Sequence, residues 1–224
     1  DYLGKLEVLG ELQRISVEVD PQYEIGAICR KLNTTKGPAV LFENVKGSKI
    51  PVVGQLLASN RRLAIAIDST EEDLFHDTLK RSANLIPPNR VGAGPCQEVV
   101  KYGSDVDLNE LPLVTNNPSD GGPYITAGHV ILKDPELGSN LAIYRMMYFS
   151  KNEVFIRFIP SHHGWAFLKK TEERKLSSLP VAVAIGVDPT IYIASQFEPK
   201  VGVNELEIAG GLRNKAIDVV KCKT

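Results

Sequence analysis

The sequence predicts an α+β fold in two parts, an α/β segment over residues 1–104 and a β-rich segment over 105–224. Three observations carry this expectation. The first hundred residues alternate helix-spaced and strand-like apolar runs. Residues 86–97 are then rich in Pro and Gly, the composition of a crossover between domains. From Leu111 onward, short β-branched and aromatic runs follow one another with only two helical stretches. Many short strands with few helices point to a barrel or a sandwich.

Each element has a local cause. Tyr2, Leu3, Leu6 and Leu9 fall at helical spacing, and Gly10 is a stop. Leu12, Ile15, Val17 and Val19 alternate imperfectly, as a half-buried strand does. Asp20-Pro21 can start the next helix, with Ile25, Ile28, Cys29 and Leu32 as its apolar face. Ala39–Phe42 and Pro51–Gly54 read as short buried strands joined by residues 43–47. Ser59-Asn60 can cap a helix through Ile67, and Ser69 to Asp73 is a capping-box candidate for a helix to about Asn84. His76 lies among acidic residues on that helix and reads as surface. Beyond the crossover, strands are expected at 124–132, 141–149, 154–159, 181–187 and 191–195. Helices are expected at 164–175 and 206–212.

Bulk numbers exclude several classes. Hydrophobic content of 43% and charged content of 24% are ordinary for a globular chain. A net charge of −1 gives no basic footprint for a nucleic acid. No apolar run reaches the roughly 18 residues of a membrane span, and no signal peptide is visible. Cys29, Cys96 and Cys222 make no CxxC pair, as expected of reduced thiols in a cytoplasmic protein. Gly121-Gly122 sits in no phosphate-loop pattern, so a nucleotide loop is unsupported.

The stretch with most chemistry is Gly138-Ser139-Asn140-Leu141-Ala142-Ile143-Tyr144-Arg145-Met146-Met147. Gly138-Ser139 reads as a turn and the rest as a strand with a cation inside it. Burying an unpaired charge is costly, so Arg145 should face solvent or an anionic partner. Around it stand Asp120-Gly121-Gly122-Pro123-Tyr124-Ile125-Thr126-Ala127-Gly128, then Pro160-Ser161-His162-His163-Gly164, then Gly202-Val203-Asn204-Glu205. Taken in series, these motifs resemble the UbiD family of decarboxylases, which use prenylated FMN. The resemblance spans essentially the whole chain and is most specific over residues 120–147.

That resemblance implies more than the residues alone. It implies that the β-rich segment is a split β-barrel related to flavin reductases, here incomplete at its C-terminal end. It implies that Asn140, His163 and Glu205 surround a divalent ion that also holds the cofactor phosphate. An amide oxygen, an imidazole and a carboxylate suit Mn²⁺ or Mg²⁺ better than a soft metal. Counted from Arg145, His163 falls on the ligand position and His162 on a neighbouring cofactor contact; a one-residue slip would swap them. Ser139, Leu141, Ala142, Ile143 and Tyr144 would line the cofactor mainly through backbone groups. Arg145 resembles the family arginine that lies beside the flavin among acids, where a permanent cation can clamp a carboxylate. Asn140 and Arg145 differ by five, so a regular strand sends them to opposite faces unless a turn or bulge intervenes. Ala194, Ser195 and Phe197 match positions that hold a monovalent cation such as K⁺, but read from the residues alone they are core packing of a strand. Trp165 and Phe167 read as the apolar face of the helix after His163 rather than as a cover for the site.

The implied activity is reversible, non-oxidative decarboxylation of an α,β-unsaturated or aromatic carboxylic acid, with the modified flavin as electron sink or cycloaddition partner. The implied partners are the small-molecule acid, a flavin prenyltransferase that supplies the cofactor, and further copies of the chain in a homo-oligomer. The catalytic acids and the dimerisation domain of the family are expected beyond Thr224, and the start at Asp1 suggests a trimmed chain. Two rivals stay open: a flavin reductase-like protein binding plain FMN, and a non-catalytic accessory or assembly subunit.

Overall fold

The computed structural model describes residues 1–223. In chain order the first elements are α1 (Tyr2–Val8), β1 (Leu12–Ile15), α2 (Glu24–Thr34), β2 (Ala39–Phe42), β3 (Val52–Gly54), α3 (Asn60–Ala66) and α4 (Leu74–Ala83). Next come β4 (Asn89–Arg90), β5 (Tyr124–Ile125), β6 (His129–Asp134), β7 (Gly138–Ile143), β8 (Met146–Ser150) and β9 (Glu153–Ile156). The last are α5 (His163–Glu173), β10 (Val181–Ala184), α6 (Pro189–Ala194), α7 (Glu205–Arg213) and β11 (Asp218–Val219). The fold is mixed α and β. Its strands form three three-stranded sheets and one two-stranded pairing, and among the described residues no closed barrel.

Contacts divide the chain into two compact units, each drawn from separate stretches of sequence. The first comprises residues 1–74, 101–126 and 146–155. In it β1 pairs parallel with β2, and β2 antiparallel with β3. Val19, Ile25, Val40, Phe42, Val45 and Val114 form its apolar cluster, with Cys29 and Leu32 of α2 packed on it. The Ser59 side chain accepts from Arg62 N, the cap that the sequence predicts for α3. Asp20 behaves differently from expectation. Its carboxylate accepts from Gln22 N in a local turn, and the helix begins only at Glu24.

The second unit comprises residues 75–100, 127–145 and 156–224. Its sheet has the order β10-β6-β7, antiparallel throughout. Val130, Leu132 and Leu141 of the sheet are buried, as are Phe167 of α5 and Ile208 and Leu212 of α7. Helix α6 packs on α7, which also contacts β7. The α7 helix can approach closely because Gly211 has no side chain: a Cβ there would overlap the carbonyls of Arg81 and Asn84.

Several expectations are corrected here. The strand expected over 191–195 is the helix α6. Asp188 caps it by accepting from Thr190 N, and Pro189 occupies its first turn. The continuous strand expected over 141–149 is broken between β7 and β8, and that over 124–132 between β5 and β6. The turn assigned to Gly138-Ser139 lies at 135–137 instead. Gly138, at φ 80°, closes that turn and pairs with Asp134 as the first residue of β7. The capping box expected at Ser69–Asp73 forms, with Thr70 Oγ1 accepting from Asp73 N, but the helix it leads into begins only at Leu74. His76 is exposed beside Asp77, as a surface histidine should be.

The β6–β7 turn carries an acid-sensitive anchor. Asp134 accepts from the N–H groups of Glu136 and Leu137 and ion-pairs with Arg174 at the end of α5. Burial pushes the Asp134 carboxyl up, but Arg174 and the two N–H groups together outweigh it and hold the group down at about 2. Its ordinary value is 3.8. The contribution of this group to stability is therefore complete above that value and is lost as pH falls toward about 2. We expect Arg174→Ala to flatten the fall in melting temperature between about pH 4 and pH 2; parallel curves for variant and wild type would refute the linkage.

Candidate functional site

The site is built in the second unit, where β7 meets the N-termini of α5 and α7. Helix α7 starts at Asn204, whose side chain accepts from Leu206 N at 3.0 Å. Glu205 is its first residue, where the exposed N–H dipoles favour an anion. Gly138 helps bring β7 alongside: a Cβ on it would sit 3.4 Å from the backbone of Gly202, just before α7. Glu205 is 1% exposed and Asn140 3%. Asn140 Nδ2 donates to Glu205 Oε1 at 2.8 Å, and Leu141 N donates to Oε2 at 2.9 Å. The Tyr144 hydroxyl donates to Asn140 Oδ1 at 2.9 Å and accepts from Gly164 N at 2.9 Å.

The electrostatics of Glu205 are those of a carboxylate short of positive charge. Burial pushes its carboxyl up, opposed by its own backbone N–H, Leu141 N, Asn140 and the nearby His163. Among the described residues no Lys or Arg pairs with it. A buried anion held only by neutral donors is expensive, and a bound cation would remove that cost. Small divalent ions take oxygen ligands, and the oxygens available here are the Glu205 carboxylate and the Asn140 amide oxygen, which accepts from Tyr144 while the amide N–H faces Glu205. The donor set thus fits such an ion, although among the described residues no three His, Cys, Asp or Glu side chains gather as a metal cluster.

The predicted residues divide clearly. Asn140, Leu141, Tyr144 and Glu205 are joined by hydrogen bonds, and His163, half-buried at the first turn of α5, lies near Glu205. Ala142 and Ile143 continue β7, paired with Val130 and His129. His162 is exposed, with Nδ1 3.8 Å from Glu198. It follows Ser161, whose φ of 79° is a left-handed conformation seldom adopted outside glycine, so the turn into α5 is strained. Arg145 is exposed, and among the described residues it has no ion-pair or hydrogen-bond partner. The strand breaks after Ile143, so Arg145 lies between β7 and β8 rather than within a regular strand. Ala194 and Ser195 are buried at the end of α6; the Ala194 carbonyl accepts from Phe197 N, and Ser195 Oγ donates to Tyr192 O. Phe167 is buried, as expected of a core face, while Lys169 lies over the Trp165 ring.

The Tyr144 hydroxyl and Gly164 were not foreseen as side-chain and backbone partners. The available signal was a Tyr two and four residues along an apolar strand from Ala142 and Asn140: one face, with a polar tip that needs a partner when buried.

Comparison with known proteins identifies the family. Residues 89–224 match the 3-octaprenyl-4-hydroxybenzoate carboxy-lyase Rift-related domain, UbiD. Residues 3–82 match the N-terminal domain of the same carboxy-lyase. The chain therefore belongs to the UbiD family. The structure is similar to an evolved dimeric form of the UbiD-class enzyme HmfF from Pelotomaculum thermopropionicum in complex with prFMN, at 35% identity and a TM-score of 0.93 over 100% of this chain and 52% of that one. It is also similar to the vanillic acid decarboxylase of Sedimentibacter hydroxybenzoicus in closed form, at 32% identity and a TM-score of 0.93 over 99% and 50%. A third similar structure is the apo 3,4-dihydroxybenzoic acid decarboxylase of Klebsiella pneumoniae, at 28% identity and a TM-score of 0.89 over 100% and 50%. The chain spans about half the length of these relatives, so it carries the fold of one half of each. Among the described residues no helix is long and apolar enough to cross a membrane.

Proposed function

We propose that the chain is the cofactor-holding half of a decarboxylase acting on an α,β-unsaturated or aromatic carboxylic acid with prenylated FMN. The observation that carries this is the buried Glu205 carboxylate, oriented by Asn140 and Leu141 and lacking a basic partner among the described residues. Family membership and a relative solved with prFMN support it. In this reading Asn140, His163 and Glu205 hold Mn²⁺ or Mg²⁺, and the sheet β10-β6-β7 is part of a split barrel around the flavin. An ion held there would supply the positive charge needed to offset both the Glu205 carboxylate and the cofactor phosphate. Ala194, Ser195 and Phe197 hold K⁺ beside it, through carbonyl oxygens.

The bound flavin supplies an electron sink for carbon–carbon cleavage. The chain's own residues place and neutralise. Arg145 clamps the substrate carboxylate, which it can do because among the described residues no ion pair consumes its guanidinium. Loss of CO₂ leaves an electron pair on carbon, and a proton must return there. Arg145 stays cationic and cannot give that proton, so a separate acid must act. The reaction is reversible and replaces carboxylate by hydrogen. A homo-oligomer and a prenyltransferase supplying the cofactor complete the reading.

The test uses full-length protein co-expressed with a flavin prenyltransferase and purified without oxygen. We expect stoichiometric divalent metal, a modified-flavin spectrum and exchange of ¹³C-bicarbonate into an aromatic or unsaturated acid. Plain FMN with no exchange across a panel of such acids would overturn the reading.

A further inference from the structure

The N-terminus of α5 lacks the usual side-chain cap. His162, in the capping position, makes no such hydrogen bond, so the first N–H groups of the helix need another partner. The Tyr144 hydroxyl supplies one. It accepts from Gly164 N and passes its own proton toward Asn140 Oδ1, both at 2.9 Å. Tyr144 is 9% exposed, and its ring meets Phe158 edge-on with centroids 4.9 Å apart. The fit against α5 is close: a Cβ on Gly164 would lie 2.5 Å from the Tyr144 oxygen and 2.6 Å from the Phe158 ring. One oxygen therefore ties the helix that carries His163 to the strand that carries Asn140. The other end of that amide is already fastened to Glu205 on a third element.

His163 itself makes no side-chain hydrogen bond among the described residues. Its imidazole is placed by the backbone of its own helical turn, which Tyr144 anchors one residue away. We propose that Tyr144 is the positioning residue of the ion site, acting through Gly164 and Asn140 to hold His163 in register with Glu205. This inference rests on the ion reading given above. Tyr144 touches neither ion nor substrate in it; removing its oxygen loosens the imidazole while leaving the Asn140–Glu205 pair in place.

The test is made on the full-length protein with Mn²⁺ as the probe. Tyr144→Phe keeps the ring and deletes the oxygen. Its Mn²⁺ affinity should fall about 10–100-fold, as for other residues that orient a ligand. At saturating Mn²⁺, the ¹⁴N modulation of a bound imidazole in the electron spin echo should weaken. A packing defect alone would not move that signal. Gly164→Ala pushes a methyl group against the same oxygen and should give the same spectral change, with the double variant no worse than the poorer single one. Unchanged affinity in Tyr144→Phe, or reduced affinity with the imidazole signal intact, would overturn the positioning role. Glu205→Ala is run alongside. If it abolishes Mn²⁺ binding where Tyr144→Phe has no effect, only the Tyr144 role fails. If it too leaves Mn²⁺ binding unchanged, the ion reading itself fails.

Discussion

Glu205→Ala in the full-length protein is expected to leave neither divalent metal nor flavin bound after gel filtration. The carboxylate is the only formal negative charge in the hydrogen-bonded cluster of Asn140, Leu141, Tyr144 and Gly164. If Glu205 holds a divalent ion against the cofactor phosphate as proposed, its loss would remove the charge-matched ligand of that ion. The substitution also strands two buried donors, Asn140 Nδ2 and Leu141 N, at about 1–3 kcal/mol each. Stability and binding must therefore be separated, and Glu205→Gln does this. Glutamine keeps the side-chain length and an acceptor oxygen but carries no charge. We expect it to fold with a melting temperature close to that of Glu205→Ala or above it, and still to lose metal and flavin. Metal analysis and flavin absorbance on the same fractions read the result. Wild-type metal and flavin content in Glu205→Gln would remove the carboxylate from the site.

How much of this was legible in the sequence follows from the range of each interaction. Ser59 capping α3 is a contact over three residues, and it was read correctly. The strands at 39–42 and 52–54 were read correctly because continuous apolar character fixes a short strand between turn signals, but only the first is buried; Val53 of the second is exposed. Strand 191–195 was misread because its β-branched residues outweighed the Asp188-Pro189 start signal; Pro in the first turn and a capped N–H decide for helix. The same Asp-Pro signal at 20–21 was overvalued, and there the carboxylate serves a turn. The break after Ile143 was invisible, since β7 pairs with β6 and β8 with β5 in different sheets while the apolar pattern runs through both. The site was legible only through its motifs. Asn140 and Glu205 lie 65 residues apart, and no local rule joins them. Tyr144 was read as a backbone contributor because a hydroxyl's two partners, at four and twenty residues, depend on how α5 packs.

Arg145→Ala should separate turnover from binding. Arg145 is exposed and without a polar partner among the described residues, so truncating it removes no structural ion pair. A surface change of that kind stays within about 0.5 kcal/mol of wild-type stability. Metal and flavin should remain at wild-type content, because Asn140, Glu205 and Tyr144 bond to one another without it. The cost falls on the reaction. A guanidinium facing the departing carboxylate works where charge changes, and removing one such group costs about 10²–10³-fold in kcat. Arg145→Lys sharpens the test. Lysine keeps the charge but not the two-pronged donor geometry, so its rate should lie between wild type and Ala. The measurement is kcat and KM of the full-length loaded enzyme at equal flavin content. A rise in KM alone, with kcat unchanged, would make Arg145 a binding group rather than a participant in the reaction. Wild-type turnover in Arg145→Ala would exclude it from the site altogether, and the exposed cation would then be a solvated surface charge at the end of a strand.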